Sequence, residues 1–187
     1  MFETKKDLRY NMRTETVVLD NKFLKLKSVN YPEKNVGRYF FAERLGVDSI
    51  AFICFDKVAT DGRYLLNNEY KPPIDEFVLG AFGGSLDSNK SKKEIVKGEA
   101  REEAGFEVGD DDIHWVGRVL VSTQMNQYCD LYVVGVDPSK ELERKPENAI
   151  EAMATTKWVT AQEAIHVDDW KATTILFRFL FELPKKS

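Results

Sequence analysis

Three glutamates occur within five residues of a segment whose pattern predicts an α-helix. Glu99, Glu102 and Glu103 are separated by one, three and four residues, so Glu102 and Glu103 are both helical neighbours of Glu99. Neither Glu99 nor Glu103 has a lysine or arginine three or four residues away. Carboxylates this close repel one another, and desolvation increases the cost of their ionisation. This spacing indicates a site for a divalent cation, because Mg²⁺ prefers carboxylate oxygens and substrate phosphates as ligands.

The helix that carries these glutamates is predicted from Ser91 to Ala104. Ser91 and Glu94 have the spacing of a capping box, and Gly105 stands where a C-terminal cap is expected. The carboxylates at positions 99 and 103 border an apolar stripe that is expected to face a sheet. The stripe consists of Val96, Ala100 and Ala104.

A Gly83-Gly84 pair precedes the helix, and glycines allow the backbone to approach an ion or a phosphate closely. This favours a functional interpretation of the acidic cluster. The alternative is a solvated acidic face whose basic partners come from elsewhere in the chain. Charge spacing alone leaves both interpretations open.

The rest of the chain alternates strands and helices, which predicts an α/β or α+β fold with a mixed sheet between helices. Residues 1–46 are expected to form a small N-terminal antiparallel β arm, and residues 47–187 the main domain. The arm strands are predicted at Thr16–Asp20, Phe23–Val29 and Arg38–Glu43. The core strands are predicted at Ser49–Phe55, Tyr64–Tyr70, Asp75–Phe82, Ile113–Ser122, Tyr128–Val136 and Thr155–Val159, and two further helices at Ala161–Ile165 and Ala172–Leu183.

Composition excludes several classes of protein. The chain has 187 residues, 43% of them hydrophobic, which is enough for a buried core. Its net charge of -4 argues against coating of nucleic acid. Two cysteines are too few for a disulfide framework, and no apolar run has the length of a membrane span. A cytoplasmic protein that has no membrane partner is therefore expected.

Residues 84–106 resemble the Nudix box, whose pattern is G-x5-E-x7-R-E-U-x-E-E-x-G-U, where U is apolar. With Gly84 as the first glycine, two positions depart from the pattern. Lys90 stands in place of the first glutamate, and Gly98 stands in place of the arginine that holds a catalytic glutamate in the family. The matching positions are Glu99, Ala100, Glu102, Glu103, Gly105 and Phe106.

The resemblance extends over nearly the whole chain and is to ADP-ribose pyrophosphatases. Thr16–Arg44 is similar to their N-terminal strands, and residues 68–73 (NEYKPP) are similar to a Gln-Tyr-Arg-Pro-Pro segment. Lys157-Trp158-Val159 is similar to their late strand, and Asp169–Leu180 to their closing helix.

This resemblance implies Mg²⁺-dependent hydrolysis, with Mn²⁺ as an alternative, of the diphosphate of ADP-ribose or a related nucleoside diphosphate sugar. It also implies a homodimer paired through the N-terminal strands. Glu99 and Glu103 would bind metal, with Glu102 as a third ligand or general base. The other implied site residues are Gly83, whose carbonyl would bind metal, and Arg44, Lys71 and Gln127, which would bind substrate or position water.

Two alternatives remain open. The first is a Nudix hydrolase acting on another nucleotide, such as a dinucleoside polyphosphate, NADH, a nucleoside triphosphate or an RNA cap. The second is a ligand-binding Nudix domain that has lost catalysis. Lys90 and Gly98 favour this second alternative, whereas retention of the three glutamates opposes it.

Overall fold

The computed structural model describes residues 14–21, 23–31, 36–44, 48–59, 62–86 and 88–181. The chain divides into two compact units. The first contains Met1–Val47 and Leu120–Gln127, and the second contains Asp48–Val119 and Tyr128–Ser187. The predicted boundary at residues 46 and 47 lies outside the described residues, as does Leu183, the predicted end of the last helix.

The first unit is built on a three-stranded antiparallel sheet in the order β1-β2-β3. Asn21 forms the turn before the second strand, since its Oδ1 accepts hydrogen bonds from the backbone N–H groups of Phe23 (2.9 Å) and Leu24 (2.8 Å). The antiparallel arm predicted from the sequence is therefore confirmed. Its strands are β1 (Thr14–Asp20), β2 (Leu24–Tyr31) and β3 (Val36–Arg44).

The second unit contains a seven-stranded mixed sheet. The main path runs β10-β5-β4-β9-β8, with β6 paired to β5 and β7 paired to β4. Strand β4 is parallel to β9 and antiparallel to β5 and β7. The strands are β4 (Ser49–Asp56), β5 (Arg63–Lys71), β6 (Glu76–Gly80), β7 (Phe82–Ser85), β8 (Ile113–Leu120), β9 (Tyr128–Val136) and β10 (Thr155–Thr160).

Strand β4 is buried on both faces because helices cover both. Ile50 and Phe52 belong to the apolar cluster that includes Val96 of α1, and α4 also packs on β4. The predicted mixed sheet between helices is confirmed. The helices are α1 (Lys92–Glu99), α2 (Ala149–Met153), α3 (Ala161–Ala164) and α4 (Trp170–Phe181). Within the described residues, none of these helices is both long and apolar enough to cross a membrane.

The structure differs from the predicted elements at two places. The single strand predicted at Asp75–Phe82 is two strands, because the chain changes partner at Ala81, whose N–H donates to Asp169 Oδ2 (3.1 Å). Helix α2, between β9 and β10, was not predicted at all. Asn148 caps it by accepting hydrogen bonds from two backbone N–H groups of its first turn.

Candidate active site

The helix that carries the glutamates begins where the sequence predicts. Ser91 Oγ accepts from Glu94 N (3.3 Å), and Glu94 Oε2 accepts from Ser91 N (2.7 Å), which confirms the capping box. The α-helical part ends at Glu99, and Ala100–Ala104 continue as one π-helical turn. Gly105 closes this turn with φ 80°, a left-handed conformation that favours glycine. Single π-helical turns inside helices occur frequently at functional sites.

The glycine pair lies directly against two of the glutamates. Gly83 N donates a long hydrogen bond of 3.4 Å to Glu103 Oε2. A Cβ atom at Gly84 would stand 2.3 Å from Glu99 Oε1, so this close approach requires glycine. The sequence pattern that linked the Gly-Gly pair to the acidic helix therefore corresponds to direct contact in the structure.

Both of these carboxyl groups are held in surroundings that disfavour their charge. Burial, followed by the charges of Glu103 and Glu102, raises the pKa of Glu99 from 4.5 to about 8. Burial also raises the pKa of Glu103 to about 7, and the charges of Glu69 and Glu151 add to this effect. The hydrogen bond from Gly83 N lowers the pKa of Glu103, but not enough to offset burial. The protein's own groups therefore do not fully compensate for the desolvation of the Glu99 and Glu103 carboxyl groups.

Glu102 is less buried than Glu103. Its side chain is half-buried and its backbone carbonyl accepts from Lys145 N (2.9 Å), whereas Glu103 is only 7% exposed. Within the described residues, no three His, Cys, Asp or Glu side chains are close enough to hold a metal ion together. The three glutamates thus do not form a ready-made cage in this structure, because Glu102 lies at a less buried position of the π-helical turn.

Several residues that sequence reasoning missed surround the pair. Glu69 of β5 and Glu151 of α2 both raise the pKa of Glu103, and Glu147 and Glu151 raise that of Glu99. The spacing of Asn148 and Glu151 is typical of a helix start and could have predicted α2. Nothing in the sequence places Glu147 and Glu151 beside Glu99 and Glu103, which lie about fifty positions earlier.

Two buried polar atoms near this site have no hydrogen-bond partner among the described residues: Asn67 Oδ1 and Arg144 Nε. Asn67 lies between Leu65 and Glu69 on one face of β5, because alternate strand residues share a face. Leu65 belongs to the cluster that contains Ala100, so this face is the one beneath the π-helical turn. Buried polar groups are normally paired, so unpaired ones indicate water, an ion or a ligand.

The remaining predicted site residues are divided between the two units. Lys71 Nζ bonds Glu69 Oε2 at 2.5 Å, so it contacts a neighbour of the site. Arg44 is exposed at the end of β3, and Gln127 is buried at the end of the segment 120–127, both in the first unit. Their assignment to substrate stays a prediction.

The sequence and the fold were each compared with those of known proteins. An uncharacterised Nudix hydrolase of Schizosaccharomyces pombe is 25% identical over 147 residues, which is 71% of this chain and 67% of that protein. The crystal structure of an ADP compounds hydrolase superposes with a TM-score of 0.69 at 15% identity, covering 89% of this chain and 90% of that one. No family model matches the chain.

The resemblance to Nudix hydrolases of the ADP-ribose pyrophosphatase kind is confirmed by these two findings, in sequence by the first and in fold by the second. The prediction that the chain is a hydrolase agrees with both findings, since each of these two proteins is named a hydrolase.

Proposed function

We propose that the chain hydrolyses the diphosphate of ADP-ribose or a related nucleoside diphosphate sugar in a reaction that depends on Mg²⁺ or Mn²⁺. Water adds across the P–O–P linkage: its oxygen bonds to one phosphorus, and the bridging oxygen leaves with the other phosphate. The products are two monophosphates.

One observation carries this proposal. The buried carboxyl group of Glu103 and the half-buried one of Glu99 lie against Gly83 and Gly84, and no basic side chain in the described part of the chain forms an ion pair with either of them. A structural carboxylate that is buried is normally paired, because an unpaired buried charge is costly. A site that keeps two of them unpaired suits a cation that arrives with the ligand.

The donor set fits a hard divalent ion. Every candidate ligand is oxygen: the carboxylates of Glu99 and Glu103, the carbonyl of Gly83 and, in second rank, the carboxylate of Glu102. Mg²⁺ uses few protein carboxylates and completes its shell with water and substrate phosphate, so the carboxylates of Glu99 and Glu103 suffice. The chemistry that a bound ion supplies is neutralisation of the diphosphate charge and acidification of water.

The chain's own residues then have distinct roles. Glu99 and Glu103 hold the ion beside the backbone of the glycine pair, and this fixes where the diphosphate lies. Glu102, which is less buried, is the proposed general base that accepts the proton of the attacking water. Arg44, Lys71 and Gln127 are proposed to bind substrate.

The nucleotide substrate is supported by the name of the structural neighbour, an ADP compounds hydrolase, and by the sequence resemblance to ADP-ribose pyrophosphatases. Both lines lead to a nucleoside diphosphate that carries a second group on its distal phosphate. The base and sugar are left to experiment.

The test is a product screen over ADP-ribose, UDP-sugars, NADH and dinucleoside polyphosphates, each with Mg²⁺, Mn²⁺ or EDTA. We expect AMP and ribose 5-phosphate from ADP-ribose with either metal and no product with EDTA. Faster turnover of another nucleotide would replace the substrate but retain the reaction. Tight binding of ADP-ribose without turnover under either metal would leave a ligand-binding domain, the function that Gly98 and Lys90 favour.

A homodimer formed through the first unit is part of the same proposal. Large apolar side chains on its strands are exposed: Leu19 of β1 is 55% exposed and Phe40 of β3 is 46% exposed. Contiguous exposed apolar surface is typical of a protein interface. Light scattering coupled to size exclusion should give twice the 21.5 kDa of one chain. A monomer at micromolar concentration would exclude the dimer and leave the hydrolase proposal intact.

A further inference from the structure

Arg144 lies between β9 and α2 and fastens the end of that helix. Its Nη1 donates to the carbonyl of Ala154 (2.5 Å) and its Nη2 to the carbonyl of Glu151 (3.1 Å). These carbonyls belong to the last turn and the C-cap of α2, and that of Glu151 also accepts a hydrogen bond from Ala154 N (3.1 Å). A cation at this end of a helix is also favoured by the helix dipole. Arg144 therefore fixes the position of α2, the helix that carries Glu151.

The same side chain passes the end of the π-helical turn. A Cβ atom at Gly105 would stand 3.6 Å from Arg144 Cγ and 2.5 Å from the carbonyl oxygen of Leu142. Leu142 N also donates to the carbonyl of Gly105 (2.8 Å), and Lys145 N donates to that of Glu102 (2.9 Å). The segment around Arg144 is thus bonded to the turn that carries Glu102 and Glu103.

The guanidinium group still has an unused donor. Arg144 Nε is buried and has no partner in the described part of the chain. The charge of Arg144 lowers the pKa of Glu103, against the raising effects of burial, Glu69 and Glu151. The positive charge of Arg144 therefore acts on the carboxyl group of Glu103.

Position 98 has no such group. It is glycine where the Nudix pattern has arginine, and a Cβ atom there would meet nothing within 4 Å. A β-carbon at position 98 thus meets open space.

We infer that Arg144 is a positioning residue that takes over the work of the missing arginine of the box, by joining the C-terminal end of α2 to the segment that is bonded to the π-helical turn of Glu102 and Glu103. The inference rests on the proposed function for its catalytic consequence. Its structural part, the fixing of these two elements by one guanidinium group, rests on the contacts above.

The experiment compares Arg144→Ala, Arg144→Lys and Arg101→Ala with the wild type. Arg101 is the matched control, because its Nη1 also donates to a carbonyl of the same segment, that of Glu143 (2.7 Å), yet it is not among the leading influences on the pKa of either buried glutamate. Each variant is assayed for kcat and KM on ADP-ribose, and for Tm with and without Mn²⁺ alone.

We expect Arg144→Ala to lower kcat by about 10- to 100-fold with a much smaller change in KM, because misplacement of a catalytic group by about 1 Å can cost that much. Arg144→Lys should recover little, since an ammonium group lacks the planar fork that reaches two carbonyls. Gly98→Arg should restore part of kcat in the Arg144→Ala background and add nothing to the wild type. Arg101→Ala should keep the wild-type kcat.

The Mn²⁺ readout separates positioning from a simple charge or packing role. Removal of a positive charge alone would strengthen Mn²⁺ binding and increase the rise in Tm on adding the metal. Positioning predicts the opposite, a smaller rise in Arg144→Ala and Arg144→Lys than in Arg101→Ala. A lower Tm with an unchanged Mn²⁺ shift and unchanged kcat would mean that Arg144 only stabilises α2.

Failure of this inference is distinguishable from failure of the proposed function. If the wild type turns over no nucleotide but shows a Mn²⁺ shift that Arg144→Ala and Arg144→Lys lose, the function fails and the positioning role stands. If the wild type shows turnover and the shift, and the Arg144 variants retain both, the inference alone is overturned. A wild type with neither property overturns both.

Discussion

Two buried carboxylates in the same sheet domain have opposite environments. Asp56, at the end of β4, is 4% exposed and accepts hydrogen bonds from Val58 N (2.9 Å), Ala59 N (2.9 Å) and Arg63 Nη2 (2.7 Å). Burial alone would raise the pKa of Asp56, yet these bonds lower it below its usual value. Glu103 is almost equally buried but accepts one bond of 3.4 Å, and its pKa is raised to about 7.

The difference separates a structural acid from a functional one. Burial is common to both residues, so burial does not identify the site. What distinguishes Glu103 is that the protein leaves its desolvation uncompensated, whereas local N–H groups and an arginine compensate Asp56. Asp130 agrees with the structural case: it is 3% exposed and accepts from Lys92 Nζ (2.6 Å) and Trp115 Nε1 (3.1 Å).

The largest effect is expected from Glu103→Gln. Turnover should fall about a thousandfold or more, equivalent to about 4 kcal/mol of barrier, because the amide cannot replace a charged ligand of the metal. The metal-free variant should nevertheless be at least as stable as the wild type at pH 8, since the amide has no charge to desolvate. Steady-state kinetics and thermal melts measure the two quantities.

Glu107→Gln is the control for this prediction, because the side chain of Glu107 is 78% exposed shortly after the same helix. It should leave both kcat and Tm unchanged. Wild-type turnover in Glu103→Gln would remove Glu103 from the metal site and make it another structural acid like Asp56.

The same exchange at Asp56 should have the reverse outcome. Asp56→Asn retains an oxygen for the two backbone N–H groups but removes the charge that forms the ion pair with Arg63. We expect a loss of about 2 kcal/mol in the free energy of unfolding and a kcat close to that of the wild type. Denaturant unfolding and kinetics below the melting temperature check this. A kcat that falls while stability is kept would mean that Asp56 serves turnover rather than stability, and that it does not differ from Glu103 in this respect.

Stability as a function of pH tests the same contrast without a substitution. The folded-state pKa values of Glu99 and Glu103, about 8 and about 7, exceed the usual 4.5, so the folded protein retains protons that the unfolded chain has released. The stabilisation from these groups is therefore present below about pH 4.5 and is lost as the pH rises through 7 and 8. Asp56 has a lowered pKa, so its contribution is constant over this range.

The metal-free wild type should thus lose on the order of 2 kcal/mol between pH 5.5 and pH 8 from Glu103 alone, since each pH unit below the folded-state pKa of about 7 is worth about 1.4 kcal/mol and little further loss follows above it. Glu103→Gln should reduce this slope, and excess Mn²⁺ should abolish most of it because the ion binds the charged form. A slope that is identical in the wild type and Glu103→Gln would show that this carboxyl titrates normally.

Local sequence signals predicted most of the elements but not the surroundings of the pair. The capping box at Ser91 and the end of the helix at Gly105 follow from short-range rules, because helix caps depend on neighbouring residues. The π-helical turn and the placement of Arg144 do not follow from such rules. They depend on the bonds between residues 142–145 and the turn, which join positions about forty residues apart.

The smallest effect is expected from Gly98→Ala, which distinguishes the two glycines of the acidic segment. A Cβ atom at position 98 meets nothing within 4 Å, so alanine should add helix propensity of up to about 1 kcal/mol, a rise in Tm of about 2–4 °C, without changing kcat. Gly84→Ala is the matched comparison. Its Cβ atom would stand 2.3 Å from Glu99 Oε1 and would displace that carboxyl group, so this substitution should lower kcat. If Gly98→Ala lowers kcat as much as Gly84→Ala does, Gly98 itself is needed at the site, and the interpretation of position 98 as an empty arginine position fails.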